Sequence, residues 1–377
     1  MRSFGQHLVQ NYGYFQGDVE ALEKAATSPS SSSVPKLQHL IITNNAPLNV
    51  IPNIVKKQTS VRTLIFTSKL KITKLPKDLF QKLKLLRILD ISSSDCRVLP
   101  KSLFKLLHLR HLNLSCLPIK TLPDAIGNLI NLQHLILRYC GSLLNLPESM
   151  TRLHKLRSID VHQTPLTGMP IGISKLSQLT SFVGFVASDS SSYERLTEIS
   201  NLKKLQTLHI VNLEVPNFLD SMVLPEHINL TDLTLSCRGE GQPYEEGEKK
   251  EMQECFEGLY PLSKSIQHIK INGYFGLKFP RWIMDLRFGK LKSLELLKCK
   301  YCTELPSLDG LPLLEHIRVE DACVGRVDMG DTSISFGDAC PQITGDHQLS
   351  KAQVPSSRSC ISCKKFGHSH NLQSTQP

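Results

Sequence analysis

Apolar residues recur along this chain in a fixed phrase at a fixed period. The clearest stretch, residues 83–137, reads LKLLRILDISSSDCRVLPKSLFKLLHLRHLNLSCLPIKTLPDAIGNLINLQHLIL. Within it the phrase L-x-x-L-x-L, with Ile closing the first copy, opens at Leu86, Leu109 and Leu132, a period of 23. A Leu-Pro pair follows each copy: Leu99-Pro100, Leu122-Pro123 and Leu146-Pro147. Phrases of the same form open at Leu37, Val61, Leu156, Leu179, Leu205, Leu230, Ile266, Leu291 and Leu314, with intervals of 23 to 26 residues and one of 36 between Leu230 and Ile266. A fixed period of about 20 to 50 residues marks a solenoid, in which each unit buries its apolar side only against its neighbours.

The pattern of one unit dictates its local structure. The last two apolar residues of the phrase share one face of a short strand and the residue between them takes the other, because side chains alternate along a strand. Such strands stack in parallel along an inner curve. After the Leu-Pro pair, Ile126 and Leu129 are spaced by three, which predicts a helical or 3-10 turn on the outer side. Proline ahead of that turn presets φ and removes a donor that has no helical partner there. The expected fold is an α/β leucine-rich-repeat solenoid of about twelve repeats, its inner sheet roughly 55 Å across at about 4.8 Å per strand.

Three parts fall outside the period. Residues 1–33 hold no phrase and close in a serine tract, so they are expected to be a linker or the remnant of a preceding domain. Residues 34–325 form the repeat domain. Residues 326–377 are polar and poor in Leu, and are expected to be disordered. Two excursions interrupt the array: the serine-rich residues 187–200, and residues 237–255, whose Gly, Pro and alternating charges predict a surface loop.

Composition adds exclusions. The net charge of +10 invites a nucleic-acid or membrane-surface partner, but Lys and Arg fall in ones and twos through nearly every repeat. That reads as a solvated basic surface, and nucleic acid is not expected. No apolar run is long enough to span a bilayer, and the first residues do not read as a signal peptide, so a cytoplasmic chain without a membrane partner is expected. Cys116, Cys140, Cys237 and Cys299 each follow a phrase closely, where a small side chain can turn inward and serve backbone groups. They are read as reduced thiols. In the tail, Cys360, Cys363 and His368 resemble the opening of a zinc knuckle, yet Gln373 stands where the fourth ligand belongs, so no metal is expected. Neither a phosphate-cradling G-x-x-x-x-G-K-[ST], a G-x-S-x-G nor an H-E-x-x-H is present, so neither catalysis nor a cofactor is expected.

The positions that face inward, away from the core, vary in chemistry while the core positions do not. They include Asp90, His111, Asn113, His134, Arg138, Asp160, His162, Phe185, His209, Lys270, Glu295, Arg318 and Glu320. The third phrase position repeats as histidine at His39, His111, His134, His268 and His316, and neighbouring rings are expected about 5 Å apart. A uniform scaffold with a varied concave face is the form of a recognition surface, with Phe185 expected as an exposed anchor.

These repeats resemble those of plant intracellular disease-resistance proteins, the coiled-coil, nucleotide-binding, leucine-rich-repeat receptors. The most specific part is Phe279, Pro280 and Trp282, followed by Cys299, Cys302, Leu305-Pro306, Leu308, Leu311-Pro312 and Leu314. The resemblance covers roughly residues 34 to 326. It implies a cytoplasmic repeat domain that senses pathogen effectors or the host proteins they modify, with those proteins or a nucleotide-binding receptor chain as partners. The sequence contains no coiled coil, nucleotide-binding switch or Met-His-Asp motif, so it is not expected to run nucleotide exchange itself. The rival reading is a constitutive signalling scaffold like the Ras-group repeat proteins, which share the Leu-Pro spacing.

Overall fold

The computed structural model describes residues 13–27, 36–43, 51–67, 72–186, 198–213, 229–237, 244–261, 263–285, 288–302, 304–305, 308, 311–321, 326–329 and 332–334. Each phrase forms a short strand. The first seven strands are β1 (Tyr14–Gly17), β2 (His39–Ile42), β3 (Thr63–Phe66), β4 (Ile88–Asp90), β5 (His111–Asn113), β6 (His134–Ile136) and β7 (Ser158–Asp160). They continue with β8 (Ser181–Val186), β9 (Thr207–Val211), β10 (Asp232–Ser236), β11 (His268–Asn272), β12 (Ser293–Leu297), β13 (Glu304–Leu305) and β14 (His316–Glu320). All except β13 join one 13-stranded sheet in chain order, every pair parallel.

The register is fixed at both ends of each strand. At the start, the amides of the second and third phrase residues donate to the carbonyl of the second residue one repeat earlier: Arg87 and Ile88 to Arg62 (2.7 and 3.0 Å), Arg110 and His111 to Arg87 (2.8 and 3.0 Å). At the end, the chain turns through a left-handed residue two places past the phrase. Ser93, Cys116, Tyr139, Gln163, Asn212, Lys298 and Asp321 all have φ between 51° and 62° there. That conformation costs a non-glycine residue roughly 1–2 kcal/mol. It is offset because the turned amide keeps a partner, as when Tyr139 N–H meets the His162 carbonyl at 2.9 Å.

Inside, Leu89, Leu112, Leu135 and Ile159 stack as a fully buried ladder. The outer side carries α2 (Asn53–Lys57), α3 (Leu79–Lys82) and 3-10 turns, once α1 (Val19–Thr27) has followed β1. Pro123, Pro147 and Pro280 stand immediately before the 3-10 turns Asp124–Asn128, Glu148–Arg152 and Arg281–Met284, with φ of −71°, −75° and −62°. Proline after an apolar residue (Leu122, Leu146, Phe279) therefore marks the bend from inner to outer side. No helix of the described residues is long and apolar enough to cross a membrane.

The structure departs from the sequence expectations in four places. Within residues 1–33, expected to be a linker or the remnant of a preceding domain, β1 pairs with β2 and α1 packs on it, burying Phe15 and Leu22, so this part joins the repeat sheet. The Tyr14-Phe15-Gln16-Gly17 alternation makes a strand without the leucine phrase. Within 237–255, read as a loop, α4 (Glu246–Gly258) forms behind a capping box of Glu245 and Glu248 and buries Met252, Cys255 and Phe256. In β8 the register slips by one between Val183 and Phe185. Within the tail, β15 (Arg326–Met329) pairs with β16 (Thr332–Ile334) and with β13 in a separate three-stranded sheet. The remainder of the tail, with Cys360, Cys363 and His368, lies outside the described residues, as do residues 187–197 and 238–243.

Candidate protein-recognition face

The thirteen predicted face residues divide by what they touch. Asp90, Asn113 and Asp160 occupy the fifth phrase position of β4, β5 and β7, and each side chain accepts the backbone N–H two residues on: Ser92 at 2.9 Å, Ser115 at 3.0 Å and His162 at 3.1 Å. These Asx turns lead the chain into the left-handed residue that follows. Asn113 Nδ2 also donates to Asp90 Oδ2 at 2.9 Å, which ties two repeats together. The three polar residues hold the scaffold as well as facing the concavity.

The charged members pair among themselves. Arg138 Nε lies 2.9 Å from Asp160 Oδ2, Lys270 Nζ 3.0 Å from Glu295 Oε2, and Arg318 Nη2 2.7 Å from Glu320 Oε1. Such half-exposed pairs contribute about 0–1 kcal/mol each to stability. They set a pattern of charge across the face more than they hold it together.

Histidine pairs as the register requires. His111 and His134 are direct partners across β5 and β6, and their ring centroids are 5.7 Å apart, tilted by 42°. Burial holds both imidazoles below the usual range, His134 adding to the effect at His111 and Arg157 to that at His134. A second group is tighter. His162 and His209 rings lie 5.3 Å apart, and His209 Nε2 is 2.9 Å from Ser236 Oγ. His209 is only 8% exposed, so it forms the floor of the face rather than its surface. Burial pushes its imidazole down to about 3, with His162, Lys270 and Arg138 adding in the same direction. His162 Nδ1 is buried with no hydrogen-bond partner among the described residues.

Phe185 is not an anchor. It is 0% exposed, edge-on to Phe182 at 5.4 Å, because Gly184 is an extra residue in the strand. Counting by twos from Phe182 puts residue 185 outward, and one inserted residue returns it to the core. Gly184 sits at φ +90, and a Cβ there would stand 2.9 Å from the Val161 carbonyl carbon, so glycine is required at the bulge. The exposed aromatic is instead Tyr139, 53% exposed at the left-handed turn after β6, with its ring edge-on to His162 at 6.0 Å. Its place two residues past the phrase, in line with the residues around it, was the signal available in the sequence.

The cysteine expectation of an inward thiol serving backbone groups holds for two of the four positions. Cys140 donates its thiol to the Leu114 carbonyl at 3.2 Å and Cys299 to Leu297 at 3.4 Å, while Cys237 meets Met252 Sδ at 3.8 Å. Cys116 differs: it is exposed, because it is itself the left-handed residue of its repeat.

Set on this geometry, the comparisons with known proteins agree. A family model described as a leucine-rich repeat region matches residues 60–339. The chain belongs to that family. Its repeats are similar to RGA4 of Solanum bulbocastanum, by name a disease resistance protein, at 33% identity over 246 residues, 64% of this chain and 24% of the relative. A second relative of like name, At3g14460 of Arabidopsis thaliana, is 32% identical over 263 residues, 68% of this chain and 17% of its own length. The chain thus spans about a quarter or less of the length of these relatives. Among solved structures, the functional domain of InlJ from Listeria monocytogenes superposes with a TM-score of 0.50 at 14% identity, covering 85% of this chain and 65% of that one, a likeness of fold alone.

Proposed function

We propose that the concave face of this leucine-rich-repeat array is a non-catalytic protein-recognition surface that serves plant defence, binding pathogen effectors or the host proteins they modify. The observation that carries this reading is the group at the middle of the face. Tyr139, Arg138 and His162 stand together there above the buried His209, on a scaffold whose core positions are uniformly apolar. An exposed aromatic beside an Arg is the composition in which binding energy concentrates at interfaces. The similarity to proteins named for disease resistance supplies the context. A cytoplasmic location and cooperation with a nucleotide-binding receptor chain belong to the same proposal.

The test is affinity capture from leaf extract, with and without pathogen challenge, using the intact chain beside a variant carrying Arg138→Ala, Tyr139→Ala and His162→Ala. A partner gained on infection and lost from the variant is the expected result. Identical partners on both baits, infected or not, would move recognition to another surface and a constitutive role.

A further inference from the structure

A share of the cations scattered through the sequence is gathered by the fold onto one edge. Most described repeats reach their strand through a tight two-residue turn, and the strand-start hydrogen bonds place the second phrase residue of each repeat directly beside that of the last. This ladder runs from Gln38 through Arg62, Arg87 and Arg110 to Lys292 and Glu315 without a break among the described strands. A residue type that recurs at those positions therefore becomes a row at about 4.8 Å per step. Arg62, Arg87, Arg110 and Arg157 occupy the second phrase position, all exposed, and Lys84 and Lys155 stand on the turns just ahead. Lys203, Lys204, Lys264, Lys290 and Lys292 continue the row. Among the described residues these positions hold one carboxylate, Glu315. The strand-end edge mixes signs instead, as in Asp95 with Arg97 and Lys120 with Asp124.

The same edge carries apolar side chains out in solvent. Leu85, Leu107 and Ile130 are exposed on three successive turns, interleaved with Lys84, Arg87 and Arg110. Cations in a row with protruding aliphatics match a surface that is anionic outside and oily beneath. A nucleic acid would answer the charge but not the aliphatics, and these positions offer no Phe, Tyr or Trp on which bases could stack.

We infer that the strand-start edge is a peripheral docking surface for anionic lipid bilayers, lying across the array from the strand-end edge and separate from the concave face. Lys and Arg sit over the headgroups, and Leu85, Leu107 and Ile130 enter the interfacial region. This revises the expectation of no membrane partner, which rested on the lack of a spanning segment and of a contiguous basic run.

Vesicle co-sedimentation of the full chain tests this. Vesicles of equal parts phosphatidylcholine and phosphatidylserine are expected to carry the chain down, vesicles of phosphatidylcholine alone are not, and added salt should release it. A variant with Lys84→Gln, Arg87→Gln, Arg110→Gln, Lys155→Gln and Arg157→Gln should bind more weakly by roughly fivefold for each charge removed. The Arg97→Gln, Lys101→Gln, Lys120→Gln variant of the other edge should bind as the parent does. Circular dichroism and thermal unfolding establish that both variants are folded, which exposed substitutions should leave unchanged. Leu85→Ser with Leu107→Ser should weaken binding even at low salt. Equal binding by both charge variants, or binding of single-stranded RNA with none of either vesicle, would overturn the inference. The concave-face triple variant should still bind vesicles, so failure of this inference and failure of the recognition reading are separable.

Discussion

The repeats from β4 to β7 and those from β8 to β12 solve the same packing problem differently. In the first set the strands are three residues long, the outer side is a short 3-10 turn, and the core is mostly aliphatic, with Phe104 its one buried aromatic among the described residues. In the second the strands have five or six residues, and one outer side is the thirteen-residue α4. Aromatics fill the extra depth there. Tyr244 stacks on Phe275 at 3.7 Å, Phe256 leans on Tyr274 at 4.6 Å, and Trp282 Nε1 donates to the Phe256 carbonyl at 2.6 Å. Lys249 of α4 caps the group, 4.3 Å from the Tyr301 ring centre. Identical ladders tolerate one lost methyl group locally, whereas an interlocked aromatic cluster joins several repeats into one unit.

The largest expected effect breaks that cluster. Trp282→Ala should cost about 3–5 kcal/mol, since it opens a cavity and strands the Phe256 carbonyl. Leu112→Ala in the regular half should cost about 2–5 kcal/mol. Hydrogen exchange should show that loss confined to adjacent repeats, while the Trp282 change lowers protection from α4 through β12. Equal spreading from both sites would erase the contrast drawn above.

Gly184→Ala comes next, at roughly 1–3 kcal/mol for forcing a side chain into a positive-φ position against the Val161 backbone. Deleting Gly184 instead restores the phrase as Leu179-x-x-Phe182-x-Phe185 and should leave Phe185 buried, so the urea midpoint should fall less than for Gly184→Ala.

Acid should weaken the β9 region first. The folded His209 imidazole titrates near 3, below the unfolded value near 6.5, so the unfolded chain binds the extra proton between them. Stability is therefore full above that window and is lost as pH falls through it, by about 2 kcal/mol between pH 7 and pH 5. His209→Gln should flatten this slope in urea titrations, and a slope unchanged in the variant would exclude His209 as its source.

The smallest effect is a gain. Gln163→Gly relieves a φ of 57° and should stabilise the chain by about 1 kcal/mol, against a loss of similar size for Gln163→Val. The difference between their melting temperatures measures the left-handed turn on its own.

The solenoid was legible because the period repeats each error-free phrase many times over. The strand faces were legible as far as alternation by twos holds, which is why the His111–His134 contact came out as read. Phe185 did not, because a single inserted glycine reverses the count and leaves the composition untouched. α4 was hidden by its charge: its buried Met252, Cys255 and Phe256 are few among glutamates and lysines, and the pairing of Glu245 with Glu248 was the one local cue. The basic edge was hidden by dispersal, since residues about 23 apart in the chain look unrelated until the ladder stacks them.

The buried thiols give the array a set of internal clocks. Cys96 donates to the Ile72 carbonyl, Cys140 to Leu114 and Cys302 to Gly276, each bridging to the preceding repeat. Burial raises Cys96 and Cys140 to about 11 and Cys255 and Cys299 to about 12, so an alkylating reagent finds no thiolate until the repeat opens. Cys116, exposed, marks time zero. The order in which the others react under mild denaturant is then a direct record of which repeats come apart, and in what sequence.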